Sequence, residues 1–506
     1  MQIFTSKQVK EIDLRTIEKE AISSIDLMER AARKFTDWFT SNFDSSNRIV
    51  VFAGAGNNGG DALAISRLLI ERNYEVHVYL IKNTNLLSES CETNYKRLRN
   101  YHSAEIIDSA DSGKLPRLSK KDIVIDGIIG SGLNRPVDGI AAQVIRHINQ
   151  NSGEVVSIDI PSGLFGEDNS INNFDSIVHA SYTVSFEFPF LSFFMKENEK
   201  FTGKWEVISI GLDKETISSL ESQYSTIEAD SIRNLLIPRK KYSHKGTFGH
   251  ALIIAGRHGM MGAAVLSVKA CIRGGAGLTT ACIPGYGYNI LQTSIPEALI
   301  ESANSNEFFN GFPDLNPYQA IACGPAIGRS DGTAEALRKL ILAAKVPVVL
   351  DADALNILSE HQELLEQLPS GSVITPHPKE FDRLAGKSSD MFSRHLKQLE
   401  FSRRYNLLVI LKGAHTIISD PSGMSYINTT GNPGMSTGGT GDVLTGLIVS
   451  LMVQGYSSLH ASILAVFIHG LAGDIALDSS SEEALIASDI IEHFGRAFRI
   501  VKEDRY

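Results

Sequence analysis

A chain of 506 residues exceeds what one ordinary hydrophobic core organises, so two or more domains are expected. Hydrophobic residues make up 43% and charged residues 21%, the balance of a globular enzyme. A formal net charge of −10 removes the electrostatic case for nucleic acid or an anionic membrane as main partner. The cysteines Cys91, Cys271, Cys282 and Cys323 are widely spaced without a C-x-x-C pair, which speaks against structural zinc or a disulfide framework and fits a reducing compartment. The opening residues carry no apolar signal core, and no uninterrupted apolar stretch approaches the roughly 20 residues of a bilayer span. A cytoplasmic location is the expectation.

In chain order, helical patterns at 6–20 and 25–43 precede β-branched runs at 48–53, 75–81, 122–126, 155–160 and 182–186, with helical patterns at 62–71, 88–101 and 140–149 between them. That alternation predicts a doubly wound parallel sheet covered on both faces. Residues 214–233 are polar and show no clear strand, and the basic cluster Arg239-Lys240-Lys241, with His244 and Lys245, follows. A solvated linker face is the first reading of that cluster and contact with a ligand phosphate the second. The domain boundary is placed near residue 225, giving domains 1–225 and 226–506. Strands are then predicted at 251–255, 278–283, 320–323, 346–351, 372–375 and 407–411, a hairpin at 416–427 turning at Asp420-Pro421-Ser422-Gly423, and helices at 443–454, 459–477 and 486–498. The fold class is α/β with two doubly wound domains.

Glycine-rich loops follow many of these strands. Gly54-Ala55-Gly56-Asn57-Asn58-Gly59-Gly60-Asp61 runs from a strand into a helix, the arrangement that presents backbone N–H groups to a phosphate. Its spacing is not a strict G-x-G-x-x-G, and Asn57, Asn58 and Asp61 add side-chain oxygens and amides. Further loops are Gly127-Ile128-Ile129-Gly130-Ser131-Gly132-Leu133-Asn134-Arg135-Pro136 and Asp159-Ile160-Pro161-Ser162-Gly163. Asn58, Asp126 and Ser162 offer hard oxygen donors suited to an alkali-metal cation, and Asp159 is the best general acid/base candidate; turn capping is the alternative for Asp126 and Asp159.

The second half offers Gly256–Ala264, Gly324-Pro325-Ala326-Ile327-Gly328, Asp351-Ala352-Asp353-Ala354-Leu355-Asn356, Thr375-Pro376-His377-Pro378 and Lys412-Gly413-Ala414-His415-Thr416. His377 is stiffened between two prolines and is read as a ligand contact. Lys412 is a ligand contact or a snorkelling strand-end lysine; Asp353 and Asn356 fix their own turn or touch substrate. The longest loop, Gly431-Asn432-Pro433-Gly434-Met435-Ser436-Thr437-Gly438-Gly439-Thr440-Gly441-Asp442, enters an apolar helix. Its free N–H groups and the helix dipole suit a phosphate or developing oxyanion, and Asp442 beside them can take a proton from an attacking hydroxyl.

Together these motifs resemble, over almost the whole chain, the bifunctional NAD(P)H-hydrate repair enzymes, in which a Rossmann-like epimerase is fused to an ADP-dependent, ribokinase-like dehydratase. The resemblance implies substrates hydrated at C6 of the nicotinamide ring (NADHX and NADPHX), whose R and S forms the first domain interconverts with potassium in its site. The second dehydrates the S form, consuming ADP and releasing AMP and phosphate, with magnesium expected alongside. Carried over by motif, Asn57, Asn58, Gly59, Gly60, Asp61, Gly130 through Pro136 and Asp159 bind hydrate in the first domain, and Asn58, Asp126 and Ser162 hold potassium. Ala263, Gly328, His377 and Asp442 bind hydrate in the second; Lys412, Gly413, Ala414, His415, Thr416 and Gly441 contact the nucleotide. A homo-oligomer is expected. The pattern is departed from at four places. Ala62 stands where glycine is frequent, Gly127-Ile128-Ile129 where Ala-Leu-Phe is common, and Ala326 where a third glycine is usual. Phe190 stands where many epimerases carry lysine, with Lys196 as candidate substitute. Two rivals are an ordinary ribokinase-type kinase and a first domain that only binds ligand.

Overall fold

The computed structural model describes residues 1–82, 86–101, 105–107 and 115–503. The chain divides into two compact units, one built from Gln2–Ser222 and the other from Gln223–Ser389 continued from Ser393.

In the first unit seven parallel strands lie in the order Glu105–Ile107, Val76–Ile81, Ile49–Ala53, Ile123–Gly127, Glu154–Ile158, Tyr182–Phe186, Lys204–Ile208. The first and last of these strands escaped the sequence reading. Successive residues of Ile49–Ala53 feed opposite cores: Ile49, Val51 and Ala53 join one cluster with Phe35, Phe39 and Leu63, while Val50 and Phe52 join another with Ile140, Val144 and Ile145. Every residue of this strand is buried, as a parallel sheet packed on both faces requires. The chain order reverses between Ile49–Ala53 and its neighbour Ile123–Gly127, which opens a crevice at their C-terminal ends.

The loops beyond those two ends press together. A Cβ on Gly54 would lie 1.8 Å from the Ile128 carbonyl oxygen, so no side chain fits there. The helix expected at 62–71 starts at Asn57, which places the Asn-Asn-Gly-Gly-Asp run in its first turns. Strand Glu154–Ile158 stops where Asp159 takes a left-handed backbone (φ 65°), two residues short of the expected end, because that conformation leaves the ladder. The N-terminal helix Ser6–Glu20 is closed by a Thr5/Gln8 capping box. It is docked through a cluster of Phe4, Ile12, Leu27, Phe188, Ile210 and Leu212, with Thr16 Oγ1 accepting from the Asp213 backbone N–H at 3.0 Å.

In the second unit the strand order is Tyr224–Ile227, Ser425–Asn428, Ile417–Ser419, Leu408–Leu411, Val373–Ile374, Val348–Leu350, Ala320–Cys323, His250–Ile254, Leu278–Ile283, Leu299–Ser302. Strands His250–Ile254 through Leu408–Leu411 pair parallel, and Ile417–Ser419 pairs antiparallel with both its neighbours. The stretch 214–233, expected to lack a strand, holds Tyr224–Ile227, which pairs parallel with Ser425–Asn428. Its four residues are too few to give a periodicity, so only the pairing reveals it. Arg239 is exposed yet held in place: it donates to the Gly275 carbonyl at 2.7 Å and to Gln454 Oε1 at 2.8 Å, and lies over the Phe248 ring. Lys240 and Lys241 are exposed.

Helix Thr440–Val453 begins three residues before its expected start and is buried from Val443 to its end. Ser458–Ala476 is long and apolar enough to cross a membrane, yet 83% of its apolar window is buried inside the protein. Its contacts with the core account for that apolar character.

Candidate active sites in the two units

In the first unit a cavity of about 680 Å³ opens between helix Ser6–Glu20 and the strand ends. Asn57, Asn58, Asp61, Gly130, Ser131, Gly132, Leu133 and Asp159 line it. Gly59 and Gly60 are buried within the helical turn, and Asn134, Arg135 and Pro136 are exposed at the far end of their loop. The sequence reading did not single out Lys10 and Asp13, which also line the cavity; they sit one turn apart on a helix with no glycine signature. Lys10 Nζ lies 3.0 Å from where a Cβ on Gly132 would be, so its charge overhangs the second glycine loop.

Three carboxyl groups face this space. Burial pushes Asp159 up to about 6, against donation from Phe186 N–H and the Ser185 hydroxyl. Burial, with the charge of Asp159, pushes Asp13 up to about 7. Asp61 is raised well above the usual carboxylate range by burial and by both neighbours. Like charges in a desolvated space cannot all ionise, so some of these groups hold protons near neutrality.

Asp126 is wholly buried behind the loop. Its Oδ1 accepts from Ser162 Oγ at 2.5 Å and Ile128 N–H at 3.3 Å, and its Oδ2 from Ser162 N–H and Ser157 Oγ, each at 2.8 Å. Burial outweighs these bonds and raises its pKa. The Ile129 N–H donates to Ser162 Oγ at 2.8 Å. Asn58, 8% exposed, has an Nδ2 with no hydrogen-bond partner among the described residues. Its Cβ lies 3.1 Å from where a Gly130 Cβ would be, so it abuts the same loop. Asn58, Asp126 and Ser162 are thus gathered around one loop. Phe190, at the usual lysine position, is 3% exposed and packs edge-on with Phe193 at 5.6 Å. Lys196 is exposed and outside the cavity lining.

In the second unit a cavity of about 610 Å³ is lined by His377, Lys412, Gly413, Ala414, Thr416 and Gly441, together with much of the 431–440 loop and His469. Asp474 ties down that loop, accepting from Gly431 N–H at 2.8 Å and Asn432 Nδ2 at 2.9 Å. Gly439 takes φ 94° at the helix entry, a backbone that favours glycine. The His469 Nε2 meets the Thr440 carbonyl at 3.0 Å, and burial lowers its pKa to about 4. The neutral ring therefore donates there and holds the helix start.

Asp442 lies in the first turn, next to the cavity-lining Gly441, where the first N–H groups of the helix have no internal acceptor. Burial and nearby Asp351 push it up to about 7 against the pull of Lys412. Lys412 Nζ pairs with Asp351 Oδ1 at 2.8 Å, and Thr445 Oγ1 donates to Asp351 Oδ2 at 3.0 Å. Burial works against both charges. Asp351, Glu380 and Asp442 nevertheless hold the lysine above its usual value, and Lys412 holds Asp351 below its own. Lys412 is no snorkelling lysine: its ammonium is turned to the buried Asp351 carboxylate. Asp351, a partner in this network, was read only as the start of its loop.

His377 Nδ1 accepts from Lys379 and Glu380 N–H groups at 3.1 and 3.3 Å, capping helix Pro378–Ala385. Asp353 accepts from Gly328 N–H at 2.9 Å and Asn356 accepts from Arg383, so both hold loops. Ala263 and Gly328 lie outside this cavity's lining, as do His415 and Asp442. Ala263 is in helix Met261–Arg273, after strand His250–Ile254, and Gly328 follows the neighbouring strand Ala320–Cys323.

Glycine loops around a cavity, with a carboxylate at a helix start, are the features of a phosphoryl-transfer site in the second unit; the first is a Rossmann-like unit with an acidic cavity. A family model described as NAD(P)H-hydrate dehydratase matches residues 251–495, and one described as YjeF-related protein N-terminus matches residues 24–191. A bifunctional NAD(P)H-hydrate repair enzyme of Moorella thermoacetica is 32% identical over 100% of this chain and 98% of its own length. One of Thermofilum pendens is 31% identical over 100% and 97%. Among solved structures, an ADP/ATP-dependent NAD(P)H-hydrate dehydratase of Bacillus subtilis is 28% identical, covering 55% of this chain and 98% of that one, with a TM-score of 0.48. The chain belongs to the family of bifunctional NAD(P)H-hydrate repair enzymes.

Proposed function

We propose that the two cavities are the two active sites of this repair activity. The enzyme epimerises the R and S forms of NAD(P)H hydrate and dehydrates the S form back to NAD(P)H, converting ADP to AMP and phosphate. In the second unit the C6 hydroxyl attacks the β-phosphorus of ADP while Asp442 accepts its proton. The bond to the bridging oxygen breaks and AMP leaves. The C6 phosphate then departs with loss of a C5 proton, which restores the dihydropyridine. The observation that carries this reading is the glycine loop that lines the cavity and delivers Asp442 to the first turn of helix Thr440–Val453, where a general base can act beside an anion-binding helix start. Lys412 through Thr416 and Gly441 contact the nucleotide, and His377, Ala263 and Gly328 the hydrate. Magnesium would reach the site on the nucleotide's phosphate oxygens, because among the described residues no group of three His, Cys, Asp or Glu is placed to hold a metal ion.

In the first unit Asp159 acts on the C6 hydroxyl, the glycine loops receive the phosphates, and Lys10 adds positive charge beside Gly132. Asn58, Asp126 and Ser162 would hold potassium: Asp126 is a wholly buried carboxylate with no cationic side chain paired to it among the described residues. A bound monovalent cation supplies that counter-charge.

Incubating the purified protein with mixed NADH hydrate epimers and ADP tests both units at once by recovery of NADH absorbance. Complete recovery, faster than spontaneous epimerisation allows, is expected. A plateau at the S fraction would leave the first unit without epimerase function. No recovery, with turnover of another hydroxylated small molecule, would make the second unit an ordinary kinase.

A further inference from the structure

The cavity of the first unit is walled on one side by the face Val9, Lys10, Asp13, Leu14 and Ile17 of helix Ser6–Glu20, and elsewhere by Asp61, Asp159 and the glycine loops. Asp13 and Asp159 therefore reach one space from separate elements, a helix and a strand end, and the charge of Asp159 acts on Asp13. The neighbouring Asn58 amide, more than nine-tenths buried and without a partner for Nδ2 among the described residues, marks this space as one built to receive polar groups. The helix is held in place independently of the carboxyl: Ile12 and Thr16 are its buried residues, and Ser6 N–H donates to Glu167 Oε1 at 2.9 Å.

Resting on the epimerase reading of this cavity, we infer that Asp13 is the second catalytic acid/base of the epimerisation, working with Asp159 on the C6 hydroxyl. One carboxyl group, protonated, gives its proton to the hydroxyl, and the C6–O bond breaks with its electron pair leaving on water. The N1 lone pair forms a double bond to C6. Water then adds to C6 from the opposite side, its proton passing to the other carboxylate while the N1–C6 π electrons return to N1. Atoms and charge balance, no oxidant is needed, and the two groups finish with their protonation states exchanged. A freely reversible interconversion of two epimers needs such a pair, one group for each direction of proton transfer.

Asp13→Asn and Asp13→Glu in the full chain test the inference, starting from purified R hydrate without ADP and following the appearance of the S form. The asparagine variant is expected to lose at least about 10²-fold in kcat with KM within about threefold. It should also lose one limb of the pH profile of kcat, and the glutamate variant should recover much of the rate. The other charged groups facing Asp13 are Lys10, Asp61 and Asp159, so Lys10→Met and Asp61→Asn profiles serve as references. The same wild-type limb persisting in Asp13→Asn, or a rise in KM without loss of kcat, would overturn the inference. A wild type inactive on R hydrate would instead overturn the epimerase reading itself.

Discussion

Asp442 combines two requirements that pull against each other. Its carboxylate sits where burial and the charge of Asp351 favour the protonated form, and the proposed role as general base needs it ionised. Its folded pKa of about 7 lies above the unfolded value, so its contribution to stability is present below about pH 4 and is lost as pH rises through 7. As a general base its activity runs the other way, rising through pH 7. Asp442→Asn is therefore expected to reduce NADH recovery by at least about 10²-fold while nucleotide binding, read by calorimetry, stays nearly intact. The same variant should be more stable than wild type by about 1 kcal/mol or more at pH 8, and by much less at pH 4, in urea unfolding. Loss of nucleotide binding would mark the residue as structural. At Ala326 the usual glycine would have a backbone reason: φ is 55°, a left-handed conformation that costs an L-residue such as this alanine roughly 1–2 kcal/mol. Ala326→Gly should raise the stability of the second unit by about 0.5–1 kcal/mol, with unchanged stability as the contrary result.

At the scale of elements, two departures from the family pattern explain each other. A Cβ on Gly127 would lie 2.6 Å from Ala62 Cβ, closer than two methyl carbons approach. Helix Asn57–Glu71 and strand Ile123–Gly127 therefore share room for one methyl group at this contact. Here the helix carries it, at the position where glycine is frequent, and the strand end has glycine where alanine is common. Gly127→Ala alone is expected to destabilise the first unit by about 1–3 kcal/mol through overpacking. Adding Ala62→Gly should recover most of that loss. Additive losses in a double-mutant cycle would show that the two positions do not share the space. The contact lies directly beneath the loop 127–136, so the single variant should also slow epimerisation, and the pair should restore it.

At the scale of the molecule, each unit builds its own cavity at the ends of its own sheet, and the recovery experiment belongs here because the R epimer reaches dehydration only through epimerisation. Most strands and the glycine loops were legible in the sequence: alternating β-branched runs and the N–H-presenting turns after them are local demands that leave local marks. Asp442 was legible for the same reason, being part of the run that makes its loop. Asp13 and Lys10 were not, because a carboxylate and an ammonium on an amphipathic helix look the same whether they face a cavity or water. The Asp351–Lys412–Thr445 network was half legible, since its members stand 61 and 94 residues from Asp351 and only packing sets their distances. The short strands Tyr224–Ile227 and Lys204–Ile208 are recognisable by their pairing partners alone. The sequence by itself determined the family, the two sheets and the glycine loops that follow their strands, since these depend on residues adjacent along the chain. Only the tertiary structure decided which charged groups share a desolvated space, because burial and mutual repulsion arise between segments that the chain keeps far apart.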